Sequence, residues 1–136
     1  MTFRRLDETM LVSPAQVRPE DMAAVAALGV ATLINNRPDA EEAGQPSSAE
    51  VEAAARAAGL DYRHIPFAGG VSRAEIEAMV EALDAGPALA FCRSGTRSTY
   101  LWALARAARG ADPAALVRQA AEAGYDLSPI LRLLAR

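Results

Sequence analysis

Cys92 is the only cysteine of the chain, and it stands in the run Ala88-Leu89-Ala90-Phe91-Cys92-Arg93-Ser94-Gly95-Thr96-Arg97-Ser98. A thiol becomes a strong nucleophile once ionised, and it ionises where positive charge or oriented N–H dipoles surround it. The six residues after Cys92 can supply both. Arg93 and Arg97 bring guanidinium groups, and either can hold two oxygens with its planar fork. Ser94, Thr96 and Ser98 bring hydroxyl donors. Gly95 lets the backbone turn its amides into one concavity. The expected chemistry is a Cys92 thiolate with a pKa below about 8.5, attacking sulfur or phosphorus in an anionic substrate. An inert buried cysteine accounts for the apolar run before it, but not for the arginines, glycine and hydroxyls after it. A loop that binds an anion without chemistry is the other reading.

Such a loop needs a strand to end it on and a helix to open from it. Residues 88–91 are wholly apolar, as a central parallel strand requires, and 97–109 read as a helix that Gly110 stops. Parallel α/β sheets bind ligands beyond the carboxyl ends of their strands, and helix N-termini favour anions. Upstream, 9–13 and 30–35 read as strands, with a helix opening at Pro19 between them. Residues 36–46 hold two prolines and a glycine with no periodicity, so they form a long loop. Ser47 and Ser72, each followed three residues later by glutamate, open two more helices. Residues 61–67 are the third strand. Asp112-Pro113 and Ser128-Pro129 start the last two helices. The alternation predicts an α/β fold: a mostly parallel central sheet of about four to five strands flanked by helices. One domain over 1–136 is expected, with 110–136 as a C-terminal helical extension.

Composition narrows the partners. The net charge is -3, and every one of the 14 basic residues is arginine, so neither nucleic acid nor an anionic membrane is expected. One cysteine allows no disulfide within the chain and makes a structural zinc site unlooked for; no metal or cofactor is expected. No apolar run approaches the ~20 residues of a membrane span, and the start lacks a leader's apolar stretch. A cytoplasmic protein with a reduced thiol is the expectation.

The loop Cys92-Arg93-Ser94-Gly95-Thr96-Arg97-Ser98 resembles the active-site loop of rhodanese-type sulfurtransferases. The wider chain resembles the bacterial beta-lactamase hydrolase-like, phosphatase-like family, through Asn35-Asn36-Arg37-Pro38-Asp39, Glu41-Glu42, Gln45-Pro46-Ser47, Gly59-Leu60-Asp61-Tyr62, Ile65-Pro66 and the cysteine loop. That resemblance implies a fold similar to the dual-specificity phosphatases, and either phosphatase or sulfur-transfer activity. Cysteine phosphatases place five residues between cysteine and the clamping arginine. Here that place is Ser98, and Arg97 falls one residue early, as in a six-residue sulfurtransferase loop. Phosphatases also carry an acid after the strand ending near Ile65-Pro66, where this chain has Phe67-Ala68-Gly69-Gly70-Val71. The first expectation is therefore sulfur transfer. Cys92 takes sulfur from a sulfane-sulfur donor as a persulfide and passes it to an acceptor thiol, with Arg97 assisting. A cysteine-dependent phosphatase is the alternative, and a non-catalytic anion-binding or sensor module the third reading.

Arg93, Ser94, Gly95, Thr96 and Ser98 are the expected anion-binding residues around the nucleophile. Arg37 is expected either to form a second wall that attracts anions or to brace its loop. Asp39 is a possible acid, or the partner of an arginine. His64 is expected to be structural or on the surface. Trp102 and Tyr100 are expected in packing, and Arg106, Arg109 and Arg118 on solvated helix faces.

Overall fold

The computed structural model describes residues 2–135. Five strands form one sheet: β1 (Arg4–Asp7), β2 (Met10–Ser13), β3 (Thr32–Asn35), β4 (Asp61–His64) and β5 (Ala88–Phe91). Their order is β1-β2-β5-β3-β4, and only β1 runs antiparallel to its neighbour. The apolar run before Cys92 is the central strand, with Leu89 in register between Leu11 and Leu33. Among the described residues, six α-helices cover the sheet: α1 (Met22–Ala26), α2 (Ser48–Ala57), α3 (Arg73–Asp84), α4 (Thr96–Ala108), α5 (Pro113–Glu122) and α6 (Leu131–Leu134). The expected mostly parallel α/β architecture is the one observed.

Period-two alternation along β5 divides the core. Leu89 and Phe91 face α1 and α2, packing with Leu11, Leu33, Val25 and Val51. Ala88 and Ala90 face the other layer, where their small side chains leave room for Trp102 and Leu101 of α4. Trp102 is fully buried, as expected. Truncating such a residue to alanine costs about 3–5 kcal/mol. Both predicted capping boxes form, at Ser47 with Glu50 and at Ser72 with Glu75.

Four expectations need correction. The sequence reading began the sheet at residue 9 and missed β1, because Arg4-Arg5-Leu6-Asp7 buries only Leu6 and borders solvent. The third strand stops at His64, three residues before its expected end, although the Ile65 and Phe67 amides still bond the Asn35 and Asn36 carbonyls. Pro66 has no N–H to continue a ladder. The helix expected at Pro19 opens as a 3-10 turn, Pro19–Asp21, and its α-helical part is five residues long. Arg106 is not on a solvated face: it donates from Nε to Asp7 at 3.0 Å and from Nη2 to Thr9 at 2.8 Å.

Asp7 joins the edge of the sheet to α4 by accepting from the Trp102 indole at 2.7 Å as well as from Arg106. Burial pushes its carboxyl up, but the bonds from Trp102, the Thr9 amide and Arg106 together hold it below the ordinary aspartate value. A carboxyl lowered on folding stabilises the fold above its unfolded pKa of about 3.9, and loses that contribution as pH falls through the folded value. Asp7→Asn is expected to cost about 1–3 kcal/mol near pH 7, and the gap to wild type should close below pH ~4. Thermal unfolding of both proteins between pH 3 and 7, a range of roughly the unfolded carboxyl value to neutrality, checks this. A gap that stays constant with pH contradicts it.

Candidate active site

Three loops meet beyond the carboxyl ends of β3, β4 and β5. The first leads from β5 into α4 and carries Cys92. Gly95 is the N-cap of α4 with φ 94°, a left-handed conformation that β-carbon sterics disfavour. That turn folds the loop back, so the Gly95 amide donates to the Cys92 sulfur at 3.2 Å. Thr99 holds the turn from below, donating from both its hydroxyl and its amide to the Gly95 carbonyl at 2.8 and 2.9 Å.

Cys92 is 1% exposed. Burial alone would raise its pKa, but the amides of Ser98, Gly95 and Ser94 and the hydroxyl of Ser98 outweigh that and lower it. Ser98 is fully buried, and its hydroxyl has no hydrogen-bond partner. Its position favours the charged form of Cys92. Ser98 therefore serves the thiolate in the position where the longer phosphatase loop has its arginine.

Arg97 reaches the same place from the first turn of α4. Its Nη1 donates to Glu41 at 2.7 Å and to the Phe67 carbonyl at 2.9 Å, and its Nη2 donates to Glu41 at 2.8 Å. The Arg97 pKa is raised, chiefly by Glu41 and, against burial, also by Cys92. The other expected loop residues point outward. Arg93 is mostly exposed and pairs with Glu42 at 3.1 Å, and the hydroxyls of Ser94 and Thr96 lie 3.1 Å apart.

The second loop, after β3, carries the acids. Arg37 is 2% exposed and serves as a brace, donating from Nε to Glu41 and from Nη1 to Gln16, both at 2.8 Å. Its Nη2 is buried without a hydrogen bond, 4.0 Å from Glu42. Glu41 thus sits between two guanidinium groups. Its bond from Arg97, with that from Arg37, overcomes burial and lowers its pKa to about 2. Asp39 is tied to the Ser48 amide at 2.7 Å, at the start of α2. It is a brace through the backbone instead of a partner for arginine. His64 is exposed, and its Nε2 lies 2.9 Å from the Arg37 carbonyl.

Tyr125, between α5 and α6, was not foreseen. Its hydroxyl donates to the Ser94 carbonyl at 2.8 Å, and Arg4 lies 5.2 Å from its ring centroid. A β-carbon on Gly95 would fall 2.1 Å from that hydroxyl and 3.0 Å from the Ser13 carbonyl. Nothing in the sequence links positions 95 and 125, which lie on separate elements.

A parallel sheet ending in a cysteine loop at a helix N-terminus, with an arginine beside the sulfur, defines a phosphatase-like α/β fold. The sequence profile of the beta-lactamase hydrolase-like protein, phosphatase-like domain, matches residues 2–109. The chain belongs to that family. It is 34% identical over 97% of its length to the beta-lactamase hydrolase-like protein of Agrobacterium fabrum, and 36% identical over 77% to that of Xylella fastidiosa Temecula1. It spans only 31% and 25% of those relatives. Among solved structures, a candidate phosphatase of Neisseria meningitidis Z2491 superposes with a TM-score of 0.83 at 34% identity, covering 98% of this chain and 96% of that one. TpbA of P. aeruginosa, solved with pTyr, superposes at 0.64 and 21% identity, covering 98% and 80%, which bears on the fold alone. The family match and the Neisseria structure back the phosphatase alternative over the sulfur transfer expected first. No helix among the described residues is long and apolar enough to cross a membrane.

The thiolate predicts a measurable alkylation profile. Reaction of Cys92 with iodoacetamide should inflect below the free-cysteine value of about 8.5. Ser98→Ala should move the inflection upward, and an unmoved inflection contradicts the role given to its hydroxyl. Gly95→Ala should also raise it and destabilise the protein by about 1–3 kcal/mol, as overpacking does.

Proposed function

We propose that this chain is a cysteine-dependent phosphatase acting on a small anionic phosphomonoester. The observation that carries the reading is the buried Cys92 thiol, whose pKa the surrounding amides and the Ser98 hydroxyl lower against burial, with the Arg97 guanidinium near enough to feel its charge. The thiolate attacks phosphorus, an S–P bond forms, and the ester P–O bond breaks. Water then cleaves the phosphocysteine, releasing inorganic phosphate and restoring the thiolate. The amides, the N-terminus of α4 and Arg97 stabilise the oxygens throughout, because charge develops where fixed donors already point. The reading is also supported by the family and by a relative in solved form that matches nearly the whole chain.

The leaving oxygen departs with little help. The segment after β4, Phe67-Ala68-Gly69-Gly70-Val71, has no carboxyl group. Asp39 is spent on the Ser48 amide, and a Glu41 with a pKa of about 2 holds no proton at neutral pH. Aryl phosphates, whose phenolate leaves unaided, should therefore turn over about 10²–10⁴ times faster than alkyl phosphates, the span a general acid normally supplies. Rates against a series of leaving groups, with Cys92→Ser as the inactive reference, check both statements. A rate independent of leaving-group pKa shows that an acid is present. Mass spectrometry on Cys92 separates the chemistries: a phosphoryl adduct supports this reading, whereas a gain of one sulfur atom after exposure to a persulfide donor, without phosphatase turnover, returns it to sulfur transfer.

A further inference from the structure

The arginine comes one residue early, and the rest of the site answers that displacement. One residue along an α-helix turns the side-chain direction by about 100°. Ser98, at the later position, is fully buried beside the sulfur, while the Arg97 side chain is 21% exposed. An arginine so placed is free to extend into solvent unless something draws it in. Glu41 does so with both carboxylate oxygens, and Arg37 in turn holds Glu41 by Oε1. Arg37 is anchored from behind by Gln16.

The geometry of this pairing decides its meaning. A guanidinium has five N–H bonds. Glu41 takes one from Nη1 and one from Nη2, and the Phe67 carbonyl takes the second from Nη1. Among the described residues no oxygen takes the Nε hydrogen or the remaining Nη2 hydrogen, and the Cys92 sulfur lies close enough to raise the Arg97 pKa. Those two lie along one edge and make a fork for two oxygens. Glu41 thus grips the end of Arg97 and leaves its side open, which is positioning and not blockade. We infer that Arg37 and Glu41 form a positioning relay that holds the open edge of Arg97 as the oxyanion clamp of this shortened cysteine loop. The inference rests on the anion-binding part of the function proposed above.

The test reads anion binding without requiring turnover. Inorganic phosphate should protect Cys92 from iodoacetamide in the wild type. Glu41→Gln keeps the shape of the side chain and removes its charge. It should weaken that protection between about 10- and 100-fold, the cost of misplacing a contact group by about an ångström. Arg97→Lys should weaken it as well, and the double variant should be no weaker than Arg97→Lys alone, because the carboxylate acts through the guanidinium. Glu41→Asp, which keeps the charge and shortens the reach, should fall between Gln and wild type; it is read in place of Gln should Glu41→Gln fail to fold. Tighter phosphate protection in Glu41→Gln overturns the relay and makes Glu41 a mask. Unchanged protection, losses that multiply in the double variant, or a wild type that phosphate does not protect, overturn it too. A wild type that phosphate protects but that hydrolyses no aryl phosphate removes the phosphatase reading and leaves the relay standing.

Discussion

A negative charge can sit beneath a protein surface only where enough fixed donors point at it. The sulfur of Cys92, whose pKa is lowered against its burial by the amides around it, is placed to become such a charge, and much of the surrounding structure follows from holding those donors in place. Desolvation of a buried thiolate acts against ionisation. The donors that overcome it are backbone amides, whose directions are set by the path of the chain. The path is set by a central strand that ends at Phe91, a left-handed turn at Gly95 and a helix that begins at Thr96. A flexible loop with the same residues would lose much of this stabilisation, since its amides would spend their time directed at water.

The scaffold supports that turn from several sides. Thr99 holds the Gly95 carbonyl, Tyr125 holds the Ser94 carbonyl, and the sheet fixes the strand from which the loop departs. Tyr125 comes from the segment beyond the helix that carries the arginine, and Arg4 of the edge strand stacks on its ring. The edge strand and the C-terminal helices are thus joined to the geometry of the cysteine loop. On the other side, a net of alternating charges ties the loop after β3, with Arg37, Glu41 and Glu42, to Arg93 and Arg97 of the cysteine loop and the start of α4. Two of these residues, Arg37 and Arg97, share one carboxylate. Its low pKa keeps that arrangement charged across the ordinary pH range.

The family's longer relatives place this unit within proteins about three times its length, as the shares of each chain covered imply. The sheet and the cysteine loop lie within the matched stretch, and so does the relay of Arg37 and Glu41. Tyr125 lies outside residues 2–109. A brace on the loop therefore comes from a part of the chain that the family profile does not describe.

Local chemistry made much of this legible from residue order. The wholly apolar run at 88–91 could only be a buried strand. Gly95 marked a turn, the serine–glutamate spacings at 47 and 72 marked helix starts, and the cysteine–arginine–glycine cluster marked an anion loop. Each of these is a property of neighbours in sequence, so sequence determined it. The edge strand β1 escaped notice because its residues are mostly charged and pair with only one neighbour. The loop length counted from Cys92 to Arg97 led toward sulfur transfer, since counting along a chain says nothing about which distant group bends a side chain back. Tertiary structure decided that Glu41 grips Arg97, that Arg37 braces Glu41, that Asp39 serves a helix end, and that Tyr125 meets Ser94. Those contacts span separations of up to 56 residues in the case of Glu41 and Arg97. They exist only because the sheet brings its carboxyl-end loops to one place.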